Sequence, residues 1–565
     1  MNSYETIKKS LQNIAGKGIF FSLDKPEEVA HGDYATNIAF PLSKLQSMSP
    51  QECAQILVPQ LQETLSGLVE KIEVAGPGFI NFFLRDDIRT DEAENFSKEI
   101  TFLIKEHGSV IVEYTDPNPF KIFHIGHLVP NTIGESIACL YESQGKHVIR
   151  MCYQGDVGMH VAKAIYAMLK TFEAIPDASM SLREKVGYLG RAYAFGNAAL
   201  ETDETIKKEI ITINKSIFSK SDQQINTLYE EGKKWSLDYF ETIYEKLGTK
   251  FDNYIFESEV GDAGKEIVKK YLGTVFEESD GALVYKGEKV GLHTRVFVSK
   301  EDLPTYEAKE LGNTYKKKSL VPDAEQSIIV TANEVDEYFK VIKAALGEID
   351  KPLAESVTHI SHGMLRLPEG KMSSRTGNII PAEELIDLVK SRIVEKVERM
   401  RVEGDKQETL INDIAIGAIK FAILKSAPGK DMIFDFEKSL SFEGDSGPYL
   451  QYTHARISAL LDKASDTGIF PENGYVVENP ERELEQVITK YPLVLEKAFK
   501  EIGPHHIIQY LLSLARAYNG MYGRVHIVDA NNIDGSLYLV MLSQATKNIL
   551  AHGLRILGIK APERM

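Results

Sequence analysis

The chain has 565 residues, of which 43% are apolar and 26% charged, and its formal net charge is −17. This composition excludes a fibrous or disordered protein, and the length indicates about three domains. The acidic balance argues against a protein that coats nucleic acid nonspecifically, although a local basic face can still bind a specific RNA. From charge alone, a metabolic enzyme is the first expectation.

The cysteines and the apolar stretches indicate the compartment. Cys53, Cys139 and Cys152 are widely spaced and form no Cys-x-x-Cys pair. This pattern argues against a disulfide framework and against a four-ligand zinc site. The first residues lack the apolar core of a secretory signal, and the apolar stretches are shorter than a membrane span. We therefore expect a cytoplasmic protein with no membrane segment.

Residues 1–95 are predicted to form a small unit of mixed helix and strand. An amphipathic helix is predicted over 2–14. The stretch 71–83 is predicted as strand, tight turn and strand, because Gly76-Pro77-Gly78 divides two apolar runs. The charged stretch 86–106 is predicted to be a helical linker.

Residues 105–385 are predicted to form a parallel-sheet domain with helical insertions. A strand over 109–115, a helix over about 126–142 and a strand over 147–153 are expected, which is the order of a crossover unit in a nucleotide-binding sheet. Further elements are predicted at 160–250, mainly helical, and as strands at 281–300, 327–331 and 357–364.

Helical periodicity dominates residues 386–565. Ile411, Ile414, Ala415 and Ala418, for example, fall on one helical face. The predicted fold class is therefore α/β, with a Rossmann-type parallel-sheet catalytic domain, a small N-terminal α+β domain and a C-terminal all-α helical bundle.

A histidine motif, His124-Ile125-Gly126-His127, is predicted where the first strand's loop meets a helix N-terminus. Backbone N–H groups and the helix dipole favour negative charge at that position, and imidazoles can donate to phosphate oxygens. Lys121 is a mobile point charge that can reach the same phosphates. The alternative is a pair of surface histidines beside a structural glycine and a solvated loop lysine.

A second motif lies in the glycine- and serine-rich stretch 368–378, which carries Lys371, Ser373 and Ser374. A loop of this kind can close over a pyrophosphate leaving group and neutralise its developing charge. Alone it is weak, because many solvated loops have this composition.

In this order the two motifs resemble the HIGH and KMSKS signatures of class I aminoacyl-tRNA synthetases. The histidine motif corresponds to HIGH, and Lys371-Met372-Ser373-Ser374-Arg375 corresponds to KMSKS. Further segments resemble the arginyl-tRNA synthetase family over nearly the whole chain. They are 32–37 and 76–81, similar to that family's N-terminal domain; Gln154-Gly155-Asp156-Val157-Gly158; and 446–457, similar to the opening of its anticodon-binding domain.

The resemblance implies an arginine–tRNA ligase. Such an enzyme converts L-arginine and ATP to arginyl-adenylate and pyrophosphate, and then transfers arginine to the 3′-terminal ribose of tRNA(Arg). It implies Mg²⁺ with the nucleotide, no structural metal, and a monomer. Lys121, His124, His127 and Lys371 would be catalytic, and ATP would be bound by His124, Gly126, His127, Gly155, Asp156, Lys371, Met372, Ser373 and Ser374.

Arginine recognition calls for buried acceptors, because a guanidinium presents five donors in a rigid fork. The family's pattern points to Glu113, Asn118, Tyr306 and Glu310 as substrate-binding residues. Glu310 stands where that family usually has aspartate, and Val335 where it tends to have glutamine. These departures leave open a specialised or noncatalytic paralogue that binds RNA or a partner.

Tyr449 and Tyr452 are the candidates for contact with tRNA, by stacking on unstacked bases, with packing in the bundle core as the alternative. Two other functions remain to be weighed. A class I synthetase for another amino acid is disfavoured by the carboxylates and by the segment 446–457. An adenylyl-transferring enzyme without RNA would leave the long C-terminal helical region unexplained.

Overall fold

The computed structural model describes residues 2–26, 28–98, 100, 108–201, 203–367, 380–397, 405–470, 480–529 and 531–565. An N-terminal α+β unit, a parallel-sheet domain and a helical C-terminal region follow one another along the chain. Within the described ranges, none of the helices combines the length and apolarity needed to span a bilayer.

The N-terminal unit is an antiparallel sheet backed by helices. Its elements are α1 (Ser3–Ala15), β1 (Leu23–Asp24), β2 (Tyr34–Thr36), α2 (Ala39–Gln46), α3 (Pro50–Thr64), β3 (Val69–Ala75), β4 (Phe79–Leu84) and α4 (Asp86–Glu94). The strand order is β1-β2-β4-β3. Helix α4 forms the first part of the predicted linker, and residues 101–107 lie outside the described part of the chain.

The parallel-sheet domain follows. Its elements are β5 (Ser109–Glu113), α5 (Ile125–Ser143), β6 (His147–Gln154), α6 (Met159–Leu169), α7 (Leu182–Leu200), α8 (Glu204–Ser219), α9 (Gln223–Leu247), β7 (Asn253–Phe256), α10 (Glu257–Lys270), β8 (Glu277–Ser279), β9 (Ala282–Tyr285), β10 (Arg295–Val298), α11 (Tyr306–Leu320), β11 (Ala324–Ala332), α12 (Asp336–Ile349), α13 (Lys351–Ser356), β12 (Val357–His362), β13 (Leu365–Arg366) and α14 (Ala382–Val397).

The central sheet is parallel, in the order β12-β11-β5-β6-β7. From β5 the chain moves outward through β6 to β7, and then returns to place β11 on the other side of β5. This reversal is a topological switch point, and ligands bind there outside the carboxyl ends of the strands. The predicted Rossmann-type fold is confirmed, and Glu113, the last residue of β5, lies at the switch point.

The C-terminal region is a helical bundle. Its elements are α15 (Asp405–Leu424), β14 (Met432–Ile433), α16 (Phe436–Ser439), α17 (Gly447–Asp466), α18 (Arg482–Thr489), α19 (Tyr491–Lys500), α20 (His505–Arg524) and α21 (Ile533–Ile556). The short strand β14, which the sequence did not predict, pairs with β13. Ile414 and Ala418 of the predicted apolar face are fully buried, in one continuous core with Val112 of the sheet and Ile137 of α5.

Two glycines bring α10 and α11 into direct main-chain contact. A Cβ added at Gly264 would lie 1.8 Å from the carbonyl oxygen of Ala308, and one added at Gly312 would lie 2.2 Å from that of Val260. No side chain fits in either gap. The position of α11 over the sheet is therefore set by backbone touching backbone.

A buried ionic cluster joins the N-terminal unit to the bundle. The guanidinium of Arg89, 2% exposed, lies 3.0 Å from Glu485 and 3.2 Å from Asp33, both also buried. Thr90 and Tyr538 donate hydrogen bonds to Glu485 at 2.6 and 3.0 Å. The first and last units of the chain therefore contact each other through paired charges.

Candidate active site

The histidine motif caps helix α5 at the carboxyl end of β5. Nδ1 of His124 accepts from the N–H of Gly126 at 3.1 Å, and Nδ1 of His127 accepts from the N–H of His124 at 3.2 Å. The two rings stack with their centroids 3.8 Å apart. Because each Nδ1 is an acceptor, each Nε2 carries the proton and is the donor for a ligand.

Both histidines are neutral donors rather than cations. Burial lowers the pKa of His124 to about 4, and it lowers the pKa of His127 well below the usual value. The nearby ammonium of Lys121 lowers both pKa values further. The pKa of Lys121 is itself lowered by burial and by the charge of Lys163. A cation and two N–H donors therefore lie together at a helix N-terminus.

The residues that follow the predicted phosphate loop are hydrogen-bonded to this motif. The N–H of Ile125 donates to the carbonyl of Ile380 at 3.0 Å, and the N–H of Ala382 donates to that of Phe123 at 2.9 Å. Lys371, Met372, Ser373 and Ser374 lie outside the described residues. The segment that follows them nevertheless runs beside the histidine pair.

Gly155 and Asn118 meet at the edge of the same cleft. The Asn118 side-chain oxygen accepts from the N–H of Gly155 at 3.1 Å, and a Cβ at Gly155 would lie 2.5 Å from that oxygen. A side chain at this position would displace the amide of Asn118. The Gly155 carbonyl also lies 2.9 Å from Nε2 of His160. His160 was not identified from the sequence.

Asp156 is fully occupied by protein donors. Its carboxylate accepts from Tyr229 at 2.8 Å, from Lys233 at 2.7 Å and from the hydroxyl of Ser258 at 2.6 Å. These contacts join the end of β6 to α9 and α10. The geometry of Asp156 is therefore that of a residue that positions the cleft wall.

The loop between β5 and α5 has a strained backbone. Thr115, Asp116 and Phe120 have φ angles of 81°, 45° and 66°, a region that non-glycine residues seldom adopt. Specific contacts hold them: Asp116 accepts from the N–H of Tyr153 at 2.8 Å, and Thr115 accepts from Asn131 at 3.1 Å. Strain of this kind is concentrated at functional sites.

An acidic pocket lies between β5 and α11. Glu113 pairs with Lys317 at 3.0 Å and accepts from Asn313 at 2.9 Å. Glu310 accepts from Asn313 at 3.3 Å and lies 3.9 Å from Lys317. Burial and the neighbouring Glu113 raise the pKa of Glu310 against the opposing effect of Lys317. All four side chains are buried.

Sequence reasoning missed Asn313 and Lys317. With Glu310 they occupy positions i, i+3 and i+7 of α11, so they project from one helix face. Three polar residues on the buried face of a helix were the available signal. These residues indicate a site only because α11 packs against the end of β5, where they contact Glu113.

Tyr306 begins α11, one turn before Glu310. Its side chain is 66% exposed. Its carbonyl accepts from the Tyr338 hydroxyl at 3.0 Å, and the Lys309 ammonium lies 5.2 Å from its ring centroid. The ring is therefore exposed to solvent beside Lys309, whose ammonium pairs with Glu257 at 2.6 Å.

The anticodon candidates lie where α17 meets α20. Tyr449 accepts from Asn519 at 2.9 Å and is part of the helix contact. The guanidinium of Arg456 lies over the ring of Tyr452, 4.7 Å from the ring centroid. It also lies 5.4 Å from the ring centroid of Tyr522. Tyr452, Arg456 and Tyr522 are called the aromatic face below. Arg456 and Tyr522 were not identified from the sequence.

The fold and the histidine site together define a class I aminoacyl-tRNA synthetase. A family model described as tRNA synthetases class I (R), catalytic domain, matches residues 95–436. The arginyl tRNA synthetase N-terminal domain matches 2–84, and the DALR anticodon binding domain matches 450–565. The chain belongs to the arginyl-tRNA synthetase family.

Individual relatives agree with this family. The chain is 30% identical over 573 aligned residues to the arginine–tRNA ligase of Streptococcus suis, covering 99% of each. It is 27% identical to that of Amoebophilus asiaticus, covering 94% of this chain and 93% of the relative. The Thermus thermophilus arginyl-tRNA synthetase structure superposes with a TM-score of 0.82 at 25% identity, covering 100% of this chain and 99% of that one.

Proposed function

We propose that the chain is an arginine–tRNA ligase that forms arginyl-adenylate from L-arginine and ATP in the cleft outside β5 and β11, and then esterifies tRNA(Arg). The observation that carries the assignment of the cleft is the hydrogen-bonded junction of Phe123 and Ile125 with Ile380 and Ala382. This junction holds the residues that follow the Lys371 loop next to the histidine pair, which supports a shared triphosphate site.

The first step is an attack by the arginine carboxylate on the α-phosphorus of ATP, with pyrophosphate leaving. The Nε2–H groups of His124 and His127 donate to phosphate oxygens, while Lys121 and Lys371 neutralise the leaving group. Gly126, Gly155, Met372, Ser373 and Ser374 complete the nucleotide site, with Asp156 positioning the wall. A ribose hydroxyl of the tRNA then attacks the carbonyl carbon of the adenylate and AMP leaves, so no covalent enzyme intermediate is needed.

Magnesium fits this site as a companion of the nucleotide. Among the described residues, no three His, Cys, Asp or Glu side chains gather as metal ligands. Mg²⁺ is usually held by substrate phosphates and only one or two protein ligands, so the ion would arrive with ATP. When bound, the ion neutralises phosphate charge.

Arginine is bound by Glu113, Asn118, Tyr306 and Glu310. The acidic pocket holds two buried carboxylates and one lysine, so it has acceptor capacity for a further cation. Glu310, one methylene longer than the aspartate usual in the family, still reaches this pocket. A noncatalytic paralogue is less favoured, because Lys121, His124 and His127 keep an arrangement suited to phosphates.

The outer units serve the RNA. Residues 1–95 contact the tRNA body and 386–565 bind the anticodon, with 105–385 as the catalytic domain. Tyr452 stacks on an unstacked base, and Tyr449 supports the helix contact beneath it. The protein works as a cytoplasmic monomer; Cys53, Cys139 and Cys152 are all free thiols, as a reducing compartment would maintain.

Replacement of one histidine tests the phosphate site. His127→Asn keeps an acceptor for the N–H of His124 but loses the outward Nε2–H donor. We expect kcat for aminoacylation to fall by about 10² to 10³-fold, with the KM for arginine little changed. The control is His147→Asn at the exposed amino end of β6. An unchanged kcat in His127→Asn, or in Lys371→Ala, would remove that residue from the proposed machinery.

A further inference from the structure

A cavity lies beside Glu310, between α11, α12 and the ends of β11 and β12. Its volume is about 320 Å³, and its lining includes Glu310, Asp336, Phe339 and His359. Small-molecule sites span roughly 300–1,000 Å³, so the cavity is large enough for part of a small substrate. It opens from the same pocket wall that carries the proposed arginine ligand.

Glu310 is the one carboxylate of the proposed arginine site that lines this cavity. Both protein donors that approach Glu310, Asn313 and Lys317, do so at its Oε1 atom. A guanidinium has five N–H donors fixed in one plane, and leaving some of them buried without acceptors is unfavourable. A further acceptor on the cavity wall would take the guanidinium N–H groups that Glu113 and Glu310 leave without a partner.

Asp336 has the position and the free valence to be that acceptor. Its Oδ1 atom is buried and has no hydrogen-bond partner among the described residues. The nearest cationic candidate, Nδ1 of His359, is 3.9 Å away, and burial lowers the pKa of this histidine. The side chain as a whole is 38% exposed, and a ligand that supplies an N–H to the covered Oδ1 atom would gain a charge-assisted hydrogen bond.

The lysines of the cavity wall do not neutralise Asp336. Lys340 pairs with Glu337 at 2.6 Å, and Lys343 donates to the carbonyl of Val357 at 2.6 Å. The preceding residue, Val335, offers no side-chain acceptor of its own. Asp336 thus adds a negative charge to the cavity, and it raises the pKa of Lys340 less than the paired Glu337 does.

Two rings, those of Phe339 and His359, form a flat part of the cavity wall. The rings of Phe339 and His359 stack with centroids 4.1 Å apart at an angle of 18°. A guanidinium is planar, weakly hydrated and stacks on aromatic faces, whereas an ammonium lacks this geometry.

From the cavity, the free oxygen and the flat walls, we infer that Asp336 is a further specificity-determining residue, which accepts hydrogen bonds from the guanidinium of L-arginine together with Glu310. This inference rests on the proposed function and adds a third carboxylate, beside Glu113 and Glu310, to its amino-acid site. It predicts that the charge of Asp336 acts on the arginine side chain and leaves the chemistry at the phosphates unaffected.

The test compares Asp336→Asn with Glu337→Gln, an exposed carboxylate in the same helical turn, and with Glu310→Gln. We expect Asp336→Asn to raise the KM for arginine by about 10- to 100-fold, the range for removing a charge-assisted hydrogen bond. The kcat and the KM for ATP should stay within about twofold. Inhibition by citrulline, a neutral isostere of arginine, should not weaken, because it does not require the charge.

Three outcomes decide the matter. An unchanged KM for arginine in Asp336→Asn, with a raised KM in Glu310→Gln, overturns the role of Asp336 and leaves the proposed arginine site standing. An unchanged KM in both variants overturns the site itself. Equal weakening of arginine and citrulline in Asp336→Asn also overturns the inference, because it indicates a disturbed helix α12 rather than a lost charge.

Discussion

At the scale of single residues, the arginine pocket is kept short of positive charge. Lys317 is shared by Glu113 at 3.0 Å and Glu310 at 3.9 Å, so one ammonium faces two carboxylates. A cationic side chain that enters the pocket supplies the missing charge and the missing donors. Before it enters, burial and Glu113 favour the protonated form of Glu310.

This balance predicts a pH-dependent affinity for arginine. The pKa of Glu310 is raised to about 8, and arginine binds the carboxylate form, so binding releases a proton. As pH rises from about 6.5 to about 8, the KM for arginine should fall by up to about tenfold per unit, and it should level off above the pKa.

The measurement is aminoacylation across that range, with Glu310→Gln as the control. The glutamine variant should have a higher KM and a flat profile. The KM for ATP should not follow the same curve, because the pKa of His124, about 4, lies well below the range. A Glu310→Gln profile as steep as that of the unmodified protein would assign the titration to another group.

At the scale of elements, α17 and α20 hold the aromatic face, which is proposed to stack on an unstacked base, in a fixed arrangement. Arg456 donates to Asn519 at 3.0 Å while its guanidinium lies over Tyr452 and near Tyr522. The side chains of the aromatic face are thus held before RNA arrives, so little ordering is needed on binding.

Removal of one ring should weaken tRNA binding alone. For Tyr522→Ala we expect the KM for tRNA to rise by about 5- to 100-fold, the range for the loss of one stacked base. The KM values for arginine and ATP should not change. Tyr522→Phe, which keeps the ring, should resemble the unmodified protein. Equal effects of alanine and phenylalanine would indicate a role for the hydroxyl instead of stacking.

The elements that could be predicted were those with local signals. Strand β5, the loop before α5 and the apolar face of α15 are each determined by residues close together in the sequence. The structure contains all three. The backbone of Thr115, Asp116 and Phe120 could not be predicted, because none is a glycine and the contacts that hold their positive φ angles come from elsewhere. The same is true of Asn313 and Lys317, whose polar character became informative only beside Glu113.

At the scale of the whole molecule, the first and last units are joined by charges that no sequence window contains. Arg89 and Glu485 are 396 residues apart, and both are buried. Gln486 adds a hydrogen bond to Asp33 at 3.1 Å. The cluster fixes the N-terminal unit against helix α18, and with it the relative positions of two proposed RNA-binding units.

Removal of the central cation should destabilise this contact strongly. Arg89→Met leaves Asp33 and Glu485 buried without their partner, which should lower the free energy of unfolding by about 3–5 kcal/mol. The control is Arg482→Met, whose half-exposed side chain pairs with Asp86; its loss should be below about 1 kcal/mol. Urea unfolding followed by circular dichroism measures both, and equal small losses would show that the buried cluster is not stabilising.

The close approach of α10 and α11 has a consequence for which substitutions the chain tolerates. Gly264 and Gly312 act as a spacer of fixed width, since even one methyl group at either position would collide with a main-chain oxygen. A larger residue there would tilt α11 outward. It would move the carboxylate of Glu310, a proposed arginine ligand, away from β5. In a mutational scan, Gly264 and Gly312 should therefore be as intolerant of replacement as His124 and His127, the proposed ligands of the nucleotide.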